Sequence, residues 1–556
     1  MTTDTVKCWW KEAVIYQIYP RSFNDSNGDG IGDIPGIIEK LDYLKWLGID
    51  AVWLSPVFKS PNDDNGYDIS DYYDIMDEFG TMADMEKLIE EAKKREIRII
   101  MDLVPNHTSD EHAWFVESRK SKDNKYRDYY IWRDPVDGHE PNEMTSLFSG
   151  SAWQFDETTG QYYLHVFSKK QPDLNWANPE VRKSMAKIVE FWLDKGVGGF
   201  RIDVIENLGK LPDEMLIANG PKLHDYLKEL YAEGFNSKGN GEDVVTIGEC
   251  WAADTDIATK YTAPENKELS MVFHFDHVTV DEQKGKAKWD TRPVELTELR
   301  DILYKWQMNY TKGWNTLFWN NHDLPRVVSH FGNDGEYRIE SAKMLATFLH
   351  GMKGTPFIFQ GEEIGMTNIE FSDILLYRDI ETLNMYKERV EAGYSEEDIM
   401  KSVYVKSRDN ARTPMQWTAG KNAGFTDGTP WIAINDNYSA VNVEKALEDE
   451  DSVLHYYKKL IELRKKEKAF VYGDFEPVLL DDKEVIAYYR TYGMDKYLVI
   501  CNFYGRDRII EVVDTNDTNV KIQKILSNYV DSEGNLAKLH LRPYESIVYK
   551  IDSNVL

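Results

Sequence analysis

Three carboxyl side chains lie at or just beyond the ends of short apolar runs in the middle of this 556-residue chain. Asp203 ends one such run with Arg201 two residues before it, Glu249 ends the next, and Asp323 follows a third. One arginine–aspartate pair alone is equally typical of a surface loop. Three carboxyl groups at strand ends instead predict a site, because neighbouring carboxylates and partial burial shift a pKa in the way acid–base chemistry needs.

The elements that must position these carboxylates are short β-branched and aromatic runs that alternate with amphipathic stretches. Strands that alternate with helices predict a parallel sheet, and eight of them over this length favour a closed (β/α)8 barrel. Neither GxGxxG nor GxxxxGK[ST] follows a strand, which disfavours a nucleotide-binding open sheet and an organic cofactor. The eight predicted strands cover residues 13–20, 50–56, 97–105, 196–203, 244–249, 271–276, 315–320 and 355–361.

Two long segments and the C-terminal part do not fit this alternation. We assign residues 1–106 and 174–473 to the barrel, with an inserted subdomain at 107–173 after strand 3. A second insertion, 367–450, follows strand 8 within the barrel domain. From 474 to 556 the short alternating runs predict a separate antiparallel β-sandwich domain.

Composition limits the partners and the location. The formal net charge of −30 disfavours nucleic acid and anionic membrane surfaces as partners. Three widely spaced cysteines predict neither a disulfide framework nor a CxxC metal site. No signal peptide and no run of 18 apolar residues is evident, so we expect a cytoplasmic protein, as a monomer or a dimer.

Four motifs carry a family resemblance. “DLVPNH” (102–107), “GFRIDVIEN” (199–207), “TIGECW” (246–251) and “FWNNHD” (318–323) resemble the signature regions of the α-amylase family of glycoside hydrolases. “QPDLNW” (171–176) and “SRDNARTPMQW” (407–417) look like its oligo-1,6-glucosidase, dextran glucosidase and α-glucosidase subgroup. The resemblance implies a retaining mechanism, which uses two carboxyl groups about 5–5.5 Å apart.

The same resemblance implies roles for individual residues. Asp203 would be the nucleophile, Glu249 the acid/base and Asp323 the residue that holds the sugar hydroxyls, with Arg201 keeping Asp203 ionised. Arg408 would pair with Asp64 and close the pocket, giving exo cleavage, whereas Arg412 is the competing arginine, expected to be structural. The other residues expected to bind the small oligosaccharide substrate are Tyr67, His107, Phe148, Phe167, Gln171, Val204, Trp251 and His322.

The loop “DSNGDGIGD” offers oxygen ligands at alternate positions and resembles the calcium loop of this glucosidase group. An Asx-rich turn without an ion is the alternative. No glutamate occurs at the twelfth position and a strand precedes the loop, so it is not an EF-hand. The expected ligands of a structural Ca²⁺ are Asp25, Asn27, Asp29, the Ile31 carbonyl and Asp33.

We therefore expect an exo-acting, retaining α-glucosidase that prefers α-1,6 links in isomaltose, panose and dextran oligosaccharides. Val204, which follows the nucleophile, supports the α-1,6 preference by resemblance. The alternatives are a broad or α-1,4-preferring α-glucosidase, a trehalose-6-phosphate hydrolase that would use Lys288 in “KGKAKWD”, and a sucrose isomerase, for which only Arg326 is available. A catalytically dead relative is disfavoured because all three carboxylates are present.

Overall fold

A barrel of parallel strands forms the centre of the computed structural model, which describes residues 8–512, 522–532 and 534–551. Eight strands of the described chain form one sheet in the order β6-β5-β4-β3-β2-β1-β8-β7, and a parallel bridge between Val272 and Asn315 closes it. The strands are β1 (Ile15–Ile18), β2 (Ala51–Leu54), β3 (Arg98–Leu103), β4 (Gly199–Ile202), β5 (Val245–Glu249), β6 (Met271–Phe273), β7 (Thr316–Leu317) and β8 (Thr355–Phe359). The predicted (β/α)8 barrel is confirmed.

Strands β4 and β5 lie close together because a glycine begins β4. A Cβ atom on Gly199 would lie 2.1 Å from the Val245 carbonyl oxygen, so only glycine fits there. The register places Asp102 of β3 opposite Arg201 of β4, and Gly248 of β5 opposite Ile202. Three strands therefore end side by side with charged residues at their carboxyl ends.

Amphipathic helices surround the barrel, and side chains cap the N-termini of several of them. Thr81 and Asp84 form a capping box at the start of Met82–Lys94, and Asn178 caps Pro179–Lys195, which ends at left-handed Gly196. The helices that follow the eight strands are Ile34–Glu39 with Leu41–Leu47, then Met82–Lys94, Pro179–Lys195, Leu223–Leu230, Thr255–Thr262, Leu296–Asn309, Arg338–His350 and Val453–Lys466.

Two insertions lie beyond the carboxyl ends of the strands. The first, after β3, contains helix Ala113–Ser118 and an antiparallel sheet of Trp132–Arg133, Trp153–Asp156 and Gln161–Leu164. A bridge between His107 and Asp173 joins the first and last residues of this insertion. The second, after β8, contains helices Ile380–Glu391, Glu396–Lys406, Asp409–Arg412 and Val443–Glu448.

The C-terminal part is antiparallel, as predicted. Five strands pair in the order β9-β10-β11-β15-β13, and β12 pairs with β14 as a separate ribbon. Tyr488 of β10 donates to the Phe348 carbonyl, and Arg490 bonds the carbonyls of Gly351 and Gly473, which fixes this sheet against the barrel. The strands are β9 (Asp474–Val478), β10 (Val485–Tyr492), β11 (Asp495–Asn502), β12 (Arg508–Ile510), β13 (Ile522–Ser527), β14 (Leu539–Leu541) and β15 (Ser546–Ile551).

Helices of the described chain are too short or too polar to cross a bilayer.

Candidate active site

Arg201 connects the carboxylates at the ends of β3, β4 and β5. Its Nη1 lies 2.8 Å from Asp102 Oδ1 and 2.7 Å from Asp203 Oδ1, and its Nη2 lies 2.7 Å from Glu249 Oε2. All four side chains are buried. The Arg201–Asp203 pair is therefore buried and is not a surface ion pair. Asp102 was missed as a site residue, although it begins the first quoted motif.

Asp203 and Glu249 are buried neighbours, each bonded to Arg201. Burial raises the pKa of Asp203, Arg201 opposes the rise, and the neighbouring Glu249 carboxylate, which hydrogen-bonds it, adds to it. Glu249 also accepts from the backbone N–H of Val204 at 3.1 Å and from the Trp251 indole N–H at 2.9 Å. A buried pair of carboxyl groups held by one arginine supplies the two groups that a nucleophile and a general acid require.

Asp323 lies beyond β7, opposite this pair. Arg412 Nη2 lies 2.6 Å from Asp323 Oδ1, while Arg408 Nη1 is 3.4 Å from the same oxygen. His322 Nε2 is 3.2 Å from Asp323 Oδ2 and 2.7 Å from the Tyr67 hydroxyl. Burial raises the pKa of Asp323, but the charges of His322, Arg408 and Arg412 outweigh it and hold this pKa well below its ordinary value.

Arg412 therefore contacts Asp323 more closely than Arg408 does. It also donates to the His322 carbonyl at 3.0 Å. The sequence analysis expected Arg408 alone to close the pocket. Both arginines lie in one motif, and their spacing does not show which of them contacts the site. The short helix Asp409–Arg412 separates the two arginines, and both guanidinium groups face Asp323.

A polar cluster around Asp64 forms part of the cavity wall. Asp64 Oδ2 accepts from Gln171 Nε2 at 3.1 Å, Gln171 is 3.2 Å from His107 Nε2, and Asp64 Oδ1 is 3.4 Å from Arg408 Nη2. Arg408 bonds Asp379 more tightly, at 2.6 Å. Burial raises the pKa of Asp64 to about 7 and lowers that of His107 to about 4.

Aromatic and apolar side chains line the remaining walls. Phe148 and Phe167 meet edge to face at 5.5 Å, and the Arg408 guanidinium lies 5.3 Å from the Phe148 ring centre. Trp251 is 44% exposed and stacks on Phe275 at 3.9 Å, which leaves part of its ring open to a ligand.

Val204 has an unusual backbone conformation. Its φ of 34° and ψ of 51° are left-handed, which a β-branched residue rarely adopts and which costs about 1–3 kcal/mol. The turn allows the Val204 N–H to bond Glu249, and the side chain lines the cavity beside Asp203.

These walls enclose a cavity of about 500 Å³. Most of the predicted substrate residues line it, while Gln171, Arg201 and His322 lie behind the lining and bond to it. Among the lining residues that the sequence did not single out, Glu206 comes from the turn after β4 and Glu381 from the second insertion. Glu381 forms an ion pair with Lys288 at the cavity wall.

The predicted calcium loop lies outside this cavity. Asn27, Asp29 and Ile31 each donate a backbone N–H to the side chain two residues before it, while Asp33 caps helix Ile34–Glu39. The donor set consists of oxygens alone, which are the ligands that Ca²⁺ takes, so the residues fit the ion.

Comparisons with known proteins agree with this geometry. Residues 17–473 match the alpha-amylase catalytic domain, and residues 485–548 match the alpha-amylase SusG C-terminal domain. The chain therefore belongs to the α-amylase family and is a glycoside hydrolase.

Relatives within that family have several activities. The chain is 56% identical to the oligo-1,6-glucosidase of Parageobacillus thermoglucosidasius, over 98% of this chain and 99% of that protein. The trehalose-6-phosphate hydrolase structure from Bacillus licheniformis matches with a TM-score of 0.93 and 49% identity, covering 98% and 100% of the two chains. The isomaltulose synthase structure from Protaminobacter rubrum matches with a TM-score of 0.94 and 44% identity, covering 99% and 100%.

Proposed function

We propose that this protein is an exo-acting, retaining α-glucosidase that cleaves α-1,6 bonds at the non-reducing end of short isomalto-oligosaccharides. The observation that carries the proposal is the polar cluster in the cavity wall, where Asp64 accepts from both Gln171 and Arg408 in the same cavity as Asp203 and Glu249. In the proposal this cluster binds a terminal glucose, and a chain that continued past that glucose would meet these side chains.

In the proposed reaction, Asp203 attacks the anomeric carbon while Glu249 protonates the departing oxygen, and a covalent glucosyl-enzyme forms. Glu249 then takes a proton from the water that hydrolyses this intermediate. Arg201 stabilises the ionised member of the pair, and Asp323, held by Arg412, binds the hydroxyls of the distorting sugar. The roles of all these residues are part of the proposal.

The α-1,6 preference rests on Val204. Its methyl groups lie at the cavity wall beside the carboxylate pair, where a directly attached 1,4-linked ring would be crowded. A 1,6 link has one more rotatable bond, so its second ring can turn away from these methyl groups. An α-1,4-preferring or broad α-glucosidase is the alternative.

Two further alternatives are less well supported. Cleavage of trehalose 6-phosphate needs a free cation for the phosphate, but Lys288 is paired with Glu381, and Glu206 adds a second acidic group to the cavity wall. For sucrose isomerisation, Arg326 is not available because its guanidinium bonds the Asn410 and Ala411 carbonyls in the protein interior.

The test is a time course of the products from isomaltose, panose, maltose, sucrose and trehalose 6-phosphate, with the anomer of the first glucose followed by NMR. We expect isomaltose and panose to have the highest kcat/KM, with α-glucose released first. Release of β-glucose would exclude retention, and a preference for maltose or the phosphorylated disaccharide would exclude the proposed substrate class.

We also propose that the loop from Asp25 to Asp33 binds a structural Ca²⁺. Because an ion that binds only the native state adds stability, calcium at 100 times its Kd should add about 2.7 kcal/mol to the free energy of unfolding. Chelation should then lower the Tm of the wild type, whereas Asp29→Ala, which removes an exposed loop carboxylate, should respond little. Equal responses of both proteins to calcium and to chelator would exclude the site.

A cytoplasmic location stays a prediction from the sequence.

A further inference from the structure

Two histidines and an aspartate lie together directly after β6, outside the cavity described above. They are His274, Asp276 and His277, and their candidate ligand atoms all lie within 4.8 Å of one another. Within residues 8–512, 522–532 and 534–551, this is the one group of three or more His, Cys, Asp or Glu side chains that converges in this way. None of the three belongs to the predicted catalytic or calcium-binding residues.

One nitrogen of this cluster is buried without a partner. His277 is 1% exposed, and its Nε2 lies 2.8 Å from the Phe318 carbonyl oxygen. Since a carbonyl only accepts, Nε2 carries the proton and Nδ1 presents a bare lone pair. Nδ1 has no hydrogen-bond partner and lies 4.0 Å from Asp276 Oδ1. A buried acceptor that faces a carboxylate costs free energy, and a cation between them would satisfy both.

The groups around the cluster hold its side chains in place. The Trp306 indole N–H donates to Asp276 Oδ2 at 2.9 Å, and the His274 ring stacks on the Trp306 ring at 3.7 Å. A ligating histidine that donates its other ring N–H to a carbonyl, beside a hydrogen-bonded carboxylate, is the usual outer arrangement of a metal site. The Asp276 side chain is 34% exposed, which gives an ion a path from solvent.

We propose that His274, Asp276 and His277 bind a divalent transition-metal ion of the Zn²⁺ type. Two imidazoles with a carboxylate suit Zn²⁺, whereas Ca²⁺ and Mg²⁺ take oxygen ligands. Bonds of about 2.0–2.2 Å place tetrahedral ligand atoms roughly 3.3–3.6 Å apart. The widest separation in the cluster, up to 4.8 Å, therefore shrinks by about 1.2–1.5 Å around the ion, while the 2.7 Å contact between His274 and Asp276 opens. His274 Nδ1 now donates to Asp276 Oδ1 at 2.7 Å; when the metal takes this position, the ring proton moves to Nε2 by exchange with solvent and the imidazole stays neutral.

The proposed site also touches the wall of the catalytic cavity. Phe275 lies between two of the ligands and stacks on Trp251, whose indole N–H donates to Glu249. A bound ion would fix the backbone on both sides of Phe275. We therefore expect a structural ion that raises the Tm and takes no part in bond cleavage.

The experiment is calorimetric titration of the metal-free full chain with Zn²⁺, in buffer that contains Ca²⁺ to saturate the oxygen loop. The wild type should bind one equivalent, and Co²⁺ should give the visible absorption of a four-coordinate ion. Asp276→Asn and His277→Gln should each weaken binding by roughly tenfold or more, as losses around metal sites do. His350→Gln is the matched control, because His350 is also 1% exposed with unpartnered ring nitrogens and lies outside the cluster.

Unchanged affinity in both cluster variants, or no saturable binding by the wild type, would overturn the proposal. Loss of binding in Cys8→Ser with binding retained in Asp276→Asn would assign the ion to a thiol and overturn it as well. If His277→Gln fails to fold, Asp276→Asn decides the question, since asparagine has the same shape and can still accept from Trp306.

Discussion

The floor and the outer wall of the catalytic cavity are built in different ways. On the floor, Arg201, Asp203 and Glu249 are buried and joined by contacts of 2.7 Å at strand ends. At the outer wall, Trp251 is 44% exposed, and Lys288 comes from a loop that pairs with a helix of the second insertion. A rigid barrel thus holds the groups proposed for bond cleavage, while loops hold those that would select the second sugar. Substitutions on the floor should therefore affect all substrates, and substitutions at the wall should affect their ranking.

The largest effect is expected for Asp203→Ala. Without the proposed nucleophile no glucosyl-enzyme forms, so kcat should fall by roughly 10⁴-fold or more on every α-glucoside. The Tm and the binding of a non-hydrolysed sugar should change little, because Arg201 keeps its contacts with Asp102 and Glu249. Activity within tenfold of the wild type would exclude this role for Asp203.

Glu249→Gln should be almost as damaging on natural substrates, by about 10²–10⁴-fold, because it removes the proposed general acid. Aryl glucosides with good leaving groups need no proton for departure, so their cleavage should be less impaired than that of isomaltose. The measurement is kcat/KM for both substrate types in both proteins. An equal loss on both would show that Glu249 does not protonate the leaving group.

Arg412→Gln should lower kcat/KM by roughly 10–100-fold, since a hydrogen bond to a charged group contributes about 1.5–3 kcal/mol. The positive charge of Arg412 helps to hold the pKa of Asp323 down, so its removal raises that pKa. Activity lost on acidification should then be lost at a higher pH than in the wild type. Arg408→Gln is the comparison: Arg408 lies farther from Asp323, but its charge lowers the pKa of Asp323 at least as much, so the pH shift should be comparable and the loss of kcat/KM from the direct contact smaller. A larger loss of kcat/KM in Arg408→Gln would reverse the two assignments.

The smallest effect on overall rate, and the clearest on ranking, is expected for Val204→Ala. Losing methyl contacts of this size changes discrimination by about 1–3 kcal/mol, or roughly 10–200-fold. The ratio of kcat/KM for maltose to that for isomaltose should rise by tens-fold, while cleavage of aryl glucosides changes little. A ratio within about twofold of the wild type, below that range, would show that Val204 does not set the linkage preference. The preference would then depend on the insertions.

Local sequence patterns determined the barrel and the placement of the three carboxylates at one face of it. Alternating apolar runs and amphipathic stretches predicted the barrel, since the period of a pattern depends only on neighbouring residues. Because parallel strands in a barrel all end at the same face, the positions of Asp203, Glu249 and Asp323 at or beyond strand ends predicted a common site.

Only the tertiary structure decided which charges meet. Arg408 and Arg412 are four residues apart, yet Arg412 contacts Asp323 89 positions away, and Lys288 pairs with Glu381 93 positions away. Such pairs depend on how insertions fold over the barrel, and no local period encodes that path. The unpartnered nitrogen of His277 is a further case, because it depends on a carbonyl from Phe318 in the next strand segment. The sequence gives the type of each side chain, but packing decides the partner of a buried charge. Packing excludes the water that would solvate the charge, so the charge must find a partner within the protein.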